Sequence, residues 1–140
     1  MADDTFMSLA LCRLGSDGSA SYVAAGHEPP LIHRAAGDHD VLDSTGLLLG
    51  LLADERYESQ GLPPLVPGDL LVLYTDGMWE CQAPDGEQFG VQRMRDAVAR
   101  HAAGGAPAVR DALVAGALAH LAGKPPLDDM TVVVAERVTG

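Results

Sequence analysis

The chain has 140 residues, of which 47% are hydrophobic, and its 20 acidic and 9 basic residues give a formal net charge of −11. This length predicts one domain or part of one, with enough apolar residues for a core and no stretch that resembles a membrane span. The negative charge argues against nucleic acid or an anionic membrane surface as partner, and it favours a cationic partner or metal ions.

The N-terminus and the cysteines bear on the cellular compartment. Residues 1–5 lack the basic region and apolar core of a secretory signal, which favours a cytoplasmic protein. Cys12 and Cys81 show no metal-type spacing, so we expect reduced, partly buried thiols.

The first half of the chain predicts short strands separated by turns. Residues 6–14 and 19–25 predict a hairpin around the turn of residues 15–18. Further short strands are predicted at residues 31–34, 41–42 and 57–62. Residues 46–52 are mostly leucine and fenced by glycines, which predicts a loop or strand that crosses the core.

The most informative stretch follows at residues 69–77. Leu70 to Tyr74 are apolar or aromatic without interruption, which predicts a strand buried on both faces. Residues 63–68 predict a rigid connection that leads into this strand from the preceding one. We interpret both strands as members of the same sheet. Asp76 and Gly77 follow where the chain leaves the core, which is where we expect a functional group.

The second half predicts two helices and a last strand. Residues 91–101 have an apolar face at helical spacing, and Pro107 suits the first turn of a helix that continues to about Ala122. A β-branched run then begins at Thr131, directly after Asp128-Asp129-Met130. Strands first, then helices, then a final strand favour an α+β fold with antiparallel pairing.

Two carboxylates that lie far apart in sequence form the candidate metal site. If the strands at residues 70–74 and 131–135 pair antiparallel, Asp76 and Asp128 share one rim of the sheet. Converging carboxylates need a compensating cation or proton, and an all-oxygen ligand set suits Mg²⁺ or Mn²⁺. The sequence therefore predicts a metal site with Asp76 and Asp128 as ligands.

The remaining polar and aromatic residues allow simpler interpretations. His27 is either a turn histidine that bonds the backbone or a residue at the rim of an active site. Trp79 is expected to anchor against the core. The other histidines show no metal-type spacing and are expected at surface or boundary positions: His33, His39, His101 and His120.

Five motifs in order carry a family resemblance. They are Ala25-Gly26-His27-Glu28-Pro29-Pro30, Gly46 with Leu49-Gly50-Leu51, Pro67-Gly68-Asp69 running into Tyr74-Thr75-Asp76-Gly77, Phe89-Gly90, and Asp128-Asp129-Met130-Thr131. Together they resemble the metal-dependent PPM-type protein phosphatases, and within them the bacterial branch related to sporulation stage II protein E. Members of that branch dephosphorylate serine or threonine on anti-sigma-factor antagonist proteins.

The resemblance implies a fold, a cofactor and a reaction. It implies an α-β-β-α sandwich of antiparallel sheets, with a two-metal site at one end and Gly77 and His27 at its rim. Asp76 and Asp128 match aspartates that bind the same Mn²⁺ or Mg²⁺, and Asp129 is the weaker candidate. A water held between the metals attacks phosphorus, without a phosphoenzyme.

One departure from the family limits this expectation. The family's domain begins with a half whose Asp-Gly-rich segment supplies the metal-bridging aspartate, and nothing before Phe6 matches it. We therefore expect residues 1–140 to be a single partial phosphatase domain, its C-terminal part, which is either catalytic or inactive on its own and which forms a homodimer or pairs with a separate first half. The alternatives are a non-catalytic interaction module in sigma-factor regulation, or a domain whose paired acids are only turn and strand-cap residues.

Overall fold

The computed structural model describes residues 5–139, which form two antiparallel sheets. The first sheet has the order β1 (Leu9–Leu14), β2 (Ala20–Ala25), β5 (Gln60–Leu62). The second has the order β4 (His39–Asp40), β3 (Leu31–His33), β6 (Leu70–Tyr74), β7 (Val132–Glu136). Residues 1–4, on which the expectation about a secretory signal mostly rests, lie outside the described residues.

Three helices follow β6 in the chain. They are α1 (Asp76–Trp79), α2 (Gly90–His101) and α3 (Gly105–Leu121), and a 3₁₀ turn at Ala102–Gly104 joins the last two. The apolar residues of α3 recur every fourth position, at Val109, Leu113, Ala117 and Leu121, so that one stripe is buried. Within residues 5–139, no helix has the length and apolar character needed to cross a bilayer.

The second sheet is covered on both faces. Leu70, Val72 and Tyr74 alternate toward α2 and α3 and join the larger buried cluster, where Met94 and Leu113 also lie. The opposite face of β6 packs on the first sheet in a smaller cluster of Ala20, Ile32, Leu65 and Leu71. The predicted antiparallel sandwich is confirmed, and residues 5–139 contribute its two sheets and one helical layer.

Two predictions about the region between β3 and β6 are wrong. The short strand predicted at residues 41–42 lies two residues earlier, because His39 and Asp40 pair with His33 and Ile32. Residues 46–52 do not cross the core. They form a loop whose Leu47, Leu51 and Leu52 side chains are exposed, and Leu49 makes only an isolated bridge to Met7.

Two further predictions need correction. The strand predicted at residues 57–62 is confined to Gln60–Leu62, and it pairs with β2 in the first sheet rather than joining β6. His33 is not a surface or boundary residue, because it lies within β3 with only 9% of its surface exposed. Period-2 patterning does not reveal which sheet a strand joins, and this is the source of the first error.

A buried ion pair holds the approach to β6. The side chain of Asp69 is fully buried and accepts hydrogen bonds from Arg34 Nη1 at 2.8 Å and from the backbone N–H groups of Ala35 and Val66 at 2.8 and 2.9 Å. Arg34 also pairs with Asp40. Burial alone raises the pKa of Asp69, but the two N–H groups and Arg34 outweigh it and hold the pKa below its usual value.

We predict that Asp69→Asn destabilises the fold by about 3 kcal/mol, because it removes the fully buried one of the two carboxylates that pair with the mostly buried guanidinium of Arg34. The matched change Asp38→Asn, in the exposed turn next to β4, should cost less than about 0.5 kcal/mol. Urea denaturation of both variants measures the difference.

The same variant tests the pH dependence. Because the pKa of Asp69 is lower in the folded state, its contribution is present above the unfolded-state pKa of about 3.9 and is lost as the pH falls through the folded-state value. Asp69→Asn should therefore reduce the acid sensitivity of unfolding. An unchanged pH profile would contradict a structural role for the ionised carboxylate.

Candidate functional site

The antiparallel pairing of β6 and β7 forms one end of the site. The register runs from Leu70 opposite Glu136 to Tyr74 opposite Val132, so the end of β6 lies beside the start of β7. Thr75 extends this pairing, because its N–H donates to the Thr131 carbonyl at 3.1 Å and its Oγ1 accepts from the Thr131 N–H at 3.0 Å. The segment that carries Asp128 and Asp129 is thereby tied to the segment that carries Asp76.

Gly77 permits the closest approach between these two segments. It is buried in the first turn of α1, and a Cβ at this position would lie 2.2 Å from the Asp129 carbonyl oxygen and 3.3 Å from that of Asp128. Thr75 Oγ1 also lies 3.3 Å from the Asp129 carbonyl. Asp76 and Asp128 are 52 positions apart in sequence, yet they lie on adjacent segments of the fold.

The two carboxylates share a local arrangement. Asp76 Oδ1 accepts the N–H of Gly77 at 2.9 Å, and Asp128 Oδ1 accepts the N–H of Asp129 at 2.7 Å. Both side chains belong to exposed residues, as does that of Asp129. A carboxylate has a second oxygen, so each can accept a cation while the first oxygen orients the group.

His27 lies across a cavity from Asp76. The cavity has a volume of about 180 Å³, and its lining includes His27, Glu28, Asp76, Trp79 and Glu80. His27 Nδ1 lies 2.8 Å from the Glu28 carbonyl oxygen, and because a carbonyl only accepts, Nδ1 carries the proton. The histidine therefore both bonds the backbone and borders the space in front of Asp76. Trp79 packs against the larger core cluster, as predicted.

Glu80 is a third acid at this end of the sandwich, and the sequence analysis did not single it out. It borders the cavity that contains Asp76, and it also borders a second cavity of about 130 Å³ together with Gly77 and Asp128. The available signal was its spacing of four residues from Asp76, which places both side chains on one face of a helical turn.

The charge here favours a cation, but the ligand set is small. Asp76 and Glu80 line one cavity and Glu80 and Asp128 line another, and a hard divalent ion compensates carboxylate charge of this kind. Among residues 5–139, no group of three or more His, Cys, Asp and Glu side chains is arranged to hold a metal. Two carboxylates suit Mg²⁺, which is often held by one or two carboxylates and several waters.

Other side chains near the site are poor nucleophiles. Burial, followed by the charge of Glu28, raises the pKa of Tyr74 to about 12. Burial likewise raises the pKa of Cys81, whose thiol donates to the Met78 carbonyl at 3.2 Å, and the pKa of Cys12. Both cysteines are free thiols, as predicted. A thiolate or phenolate nucleophile is therefore not favoured here.

Comparisons with known proteins agree on one family. A family model described as Stage II sporulation protein E (SpoIIE) matches residues 1–138. Protein IcfG of Synechocystis sp. is 30% identical over 122 residues, which are 87% of this chain and 19% of that protein. Phosphoserine phosphatase RsbU of Bacillus subtilis is 37% identical over 68 residues, which are 47% of this chain and 20% of that protein. The chain spans about a fifth of the length of these relatives.

A solved structure has the same fold. The phosphatase domain of SpoIIE from Bacillus subtilis, in an Mn-presoaked crystal, superposes with a TM-score of 0.72 at 21% sequence identity. The match covers 95% of this chain and 57% of that chain. Residues 5–139 thus have the antiparallel sandwich of a protein phosphatase domain and correspond to part of it.

We predict that Gly77→Ala destabilises the protein by about 1–3 kcal/mol, because the new methyl group meets backbone atoms of Asp129 that must move. Gly61→Ala is the matched control, since a Cβ at position 61 meets nothing within 4 Å. Thermal unfolding measures both. Equal stability of the two variants would show that the approach of the two segments at Gly77 is not tight.

Proposed function

Because this chain belongs to the stage II sporulation protein E family, we propose that it forms part of a metal-dependent protein phosphatase. The substrate is phosphoserine or phosphothreonine on a regulatory protein of the anti-sigma-factor antagonist type. The observation that carries the proposal is the approach of the Asp76 and Asp128 segments at Gly77, at the end of a sandwich shared with a phosphatase domain. The phosphoserine phosphatase activity in the name of RsbU supports the substrate class.

In this proposal, Asp76 and Asp128 hold a Mn²⁺ or Mg²⁺ ion, and Asp129 is the weaker candidate. When bound, such an ion activates a water molecule and offsets charge on the phosphoryl oxygens. The N–H groups of Gly77 and Asp129 orient the two carboxylates. Gly77 and His27 form the rim, and since His27 Nδ1 is committed to the Glu28 carbonyl, Nε2 can accept a proton there.

In this proposal, these 140 residues supply one part of the site, and a further segment completes it. The chain spans 57% of the SpoIIE phosphatase chain, and β1 and β7 are each one edge strand of their sheet, opposite the edge strands β5 and β4. Val133 lies opposite Leu73, yet 53% of its surface is exposed. A cavity of about 240 Å³ opens there between β1 and β7. We propose that a first half of the domain, or a second copy of this chain, covers these edges.

A non-catalytic interaction module is the second candidate function. The described residues supply two converging carboxylates and no metal-holding group of three, which favours a chain that binds a regulatory partner without hydrolysis. Binding by such a module is independent of Asp76 and of added metal.

We predict that the chain hydrolyses a phosphoserine peptide in the presence of Mn²⁺. Asp76→Asn should lower the rate by more than about 100-fold, which is about 2.7 kcal/mol, because one of the two proposed metal ligands loses its charge. Asp54→Asn, in an exposed loop, should leave the rate unchanged. If the wild-type rate equals that of Asp76→Asn, this chain alone is not catalytic. Partner capture that survives Asp76→Asn and EDTA would then identify the module.

The edge strands β1 and β7 give a second test. If a second copy covers them, light scattering should show a mass above 14.6 kDa that increases with concentration. Val133→Lys should abolish this association because it places a charge on the β7 edge, whereas Val41→Lys, at an exposed position after β4, should not. A monodisperse monomer at high concentration contradicts a second copy and favours a separate first half.

A further inference from the structure

A small cavity lies between the β3–β4 hairpin and α2, at the opposite edge of the second sheet from β7. Its volume is about 90 Å³, and its polar lining consists of His33, His39, Asp40, Gln92, Arg95 and Asp96. All of its walls belong to this chain, so its structure does not depend on the partner proposed for β1 and β7.

Three of the four carboxylate oxygens of Asp40 and Asp96 already accept hydrogen bonds. Asp40 accepts from Arg34 through both carboxylate oxygens, and Asp96 Oδ1 accepts from Gln92 Nε2 at 2.9 Å. Arg95 differs, because its Nε is buried and has no hydrogen-bond partner within residues 5–139. A buried donor left without an acceptor costs about 1–3 kcal/mol. Because Nε itself is closed to the cavity, an anion there would be bound by the terminal N–H groups of Arg95, for which no described residue is an acceptor.

The two histidines can add to this donor set. His33 and His39 are direct partners in the β3–β4 pairing, so both side chains stand on one face of the hairpin. His33 is buried and His39 is exposed, which places one imidazole within the cavity and the other toward solvent. An imidazole N–H donates to an anion in either position.

We propose that this cavity binds a small oxyanion of the phosphate or carboxylate class through Arg95, with His33 and His39 as further donors. The planar guanidinium matches the geometry of such anions. A volume of about 90 Å³ equals roughly three waters at about 30 Å³ each, whereas pockets for drug-sized ligands begin near 300 Å³. The size admits an inorganic anion or a small carboxylate and excludes a nucleotide.

The test is a titration of the whole chain with inorganic phosphate, and separately with acetate, in metal-free buffer containing EDTA. Sodium chloride keeps the ionic strength constant. Without metal, Asp76 and Asp128 do not attract an anion, so the result is independent of the phosphatase proposal. We expect saturable NMR shifts of the amides of Gly37 and Ala99, which line the cavity, and a rise in the unfolding midpoint.

Arg95→Gln should weaken the binding by at least about tenfold, which is about 1.4 kcal/mol. Arg110→Gln makes the same charge change on α3, outside the cavity, and should bind as the wild type does. His39→Gln, at an exposed position that the fold tolerates, should also weaken binding. Shifts that increase linearly with both anions, or equal affinity in Arg95→Gln and Arg110→Gln, would overturn the proposal.

The separate titrations with phosphate and acetate distinguish the two classes of anion that the cavity could bind. Binding of phosphate alone indicates an inorganic phosphate site, and binding of acetate alone indicates a carboxylate ligand.

Discussion

The antiparallel pairing of β6 with β7 is the constraint on which the rest of the structure depends. A shift of one residue would turn Leu70 and Val72 away from α2 and α3, and the larger core cluster would be lost. The same register sets how far Asp128 lies from Asp76. The burial of β6 against the helices and the adjacency of the two segments that carry Asp76 and Asp128 therefore both depend on one strand pairing.

Both ends of this pairing are secured by side chains. At the site end, Thr75 continues it with its backbone N–H and its hydroxyl. At the other end, the Arg137 N–H donates to the Asp69 carbonyl at 2.9 Å, while the Asp69 carboxylate is held by Arg34 and two backbone N–H groups. Because Asp69 is fixed, β6 enters the sheet at one position. A carboxylate far from the site thus supports the geometry at Asp76.

Local patterns were sufficient for the elements with strong periodicity. The uninterrupted apolar run from Leu70 to Tyr74 predicted β6 correctly, and Pro107 correctly predicted the first turn of α3. The leucines of residues 46–52 led to the wrong prediction of a core-crossing segment, because their composition does not distinguish a core segment from an exposed loop. The cavity around Arg95 depends on contacts between the β3–β4 hairpin and α2, which are far apart in sequence. Sequence spacing alone does not encode those contacts.

The two faces of β6 are unequally covered, and this links the fold to the site. The structure describes fourteen buried residues in the cluster on the helical side and four in the cluster between the sheets. The helical side therefore provides most of the burial that keeps these strands together. A cavity of about 240 Å³ lies on this side, and its lining includes Ser8, Thr75, Thr131 and Val133. An element inserted there would bury Val133 and reach the front of Asp76 in the same step. Such an insertion would complete the core between the sheets and the proposed metal site together, because both border the same space.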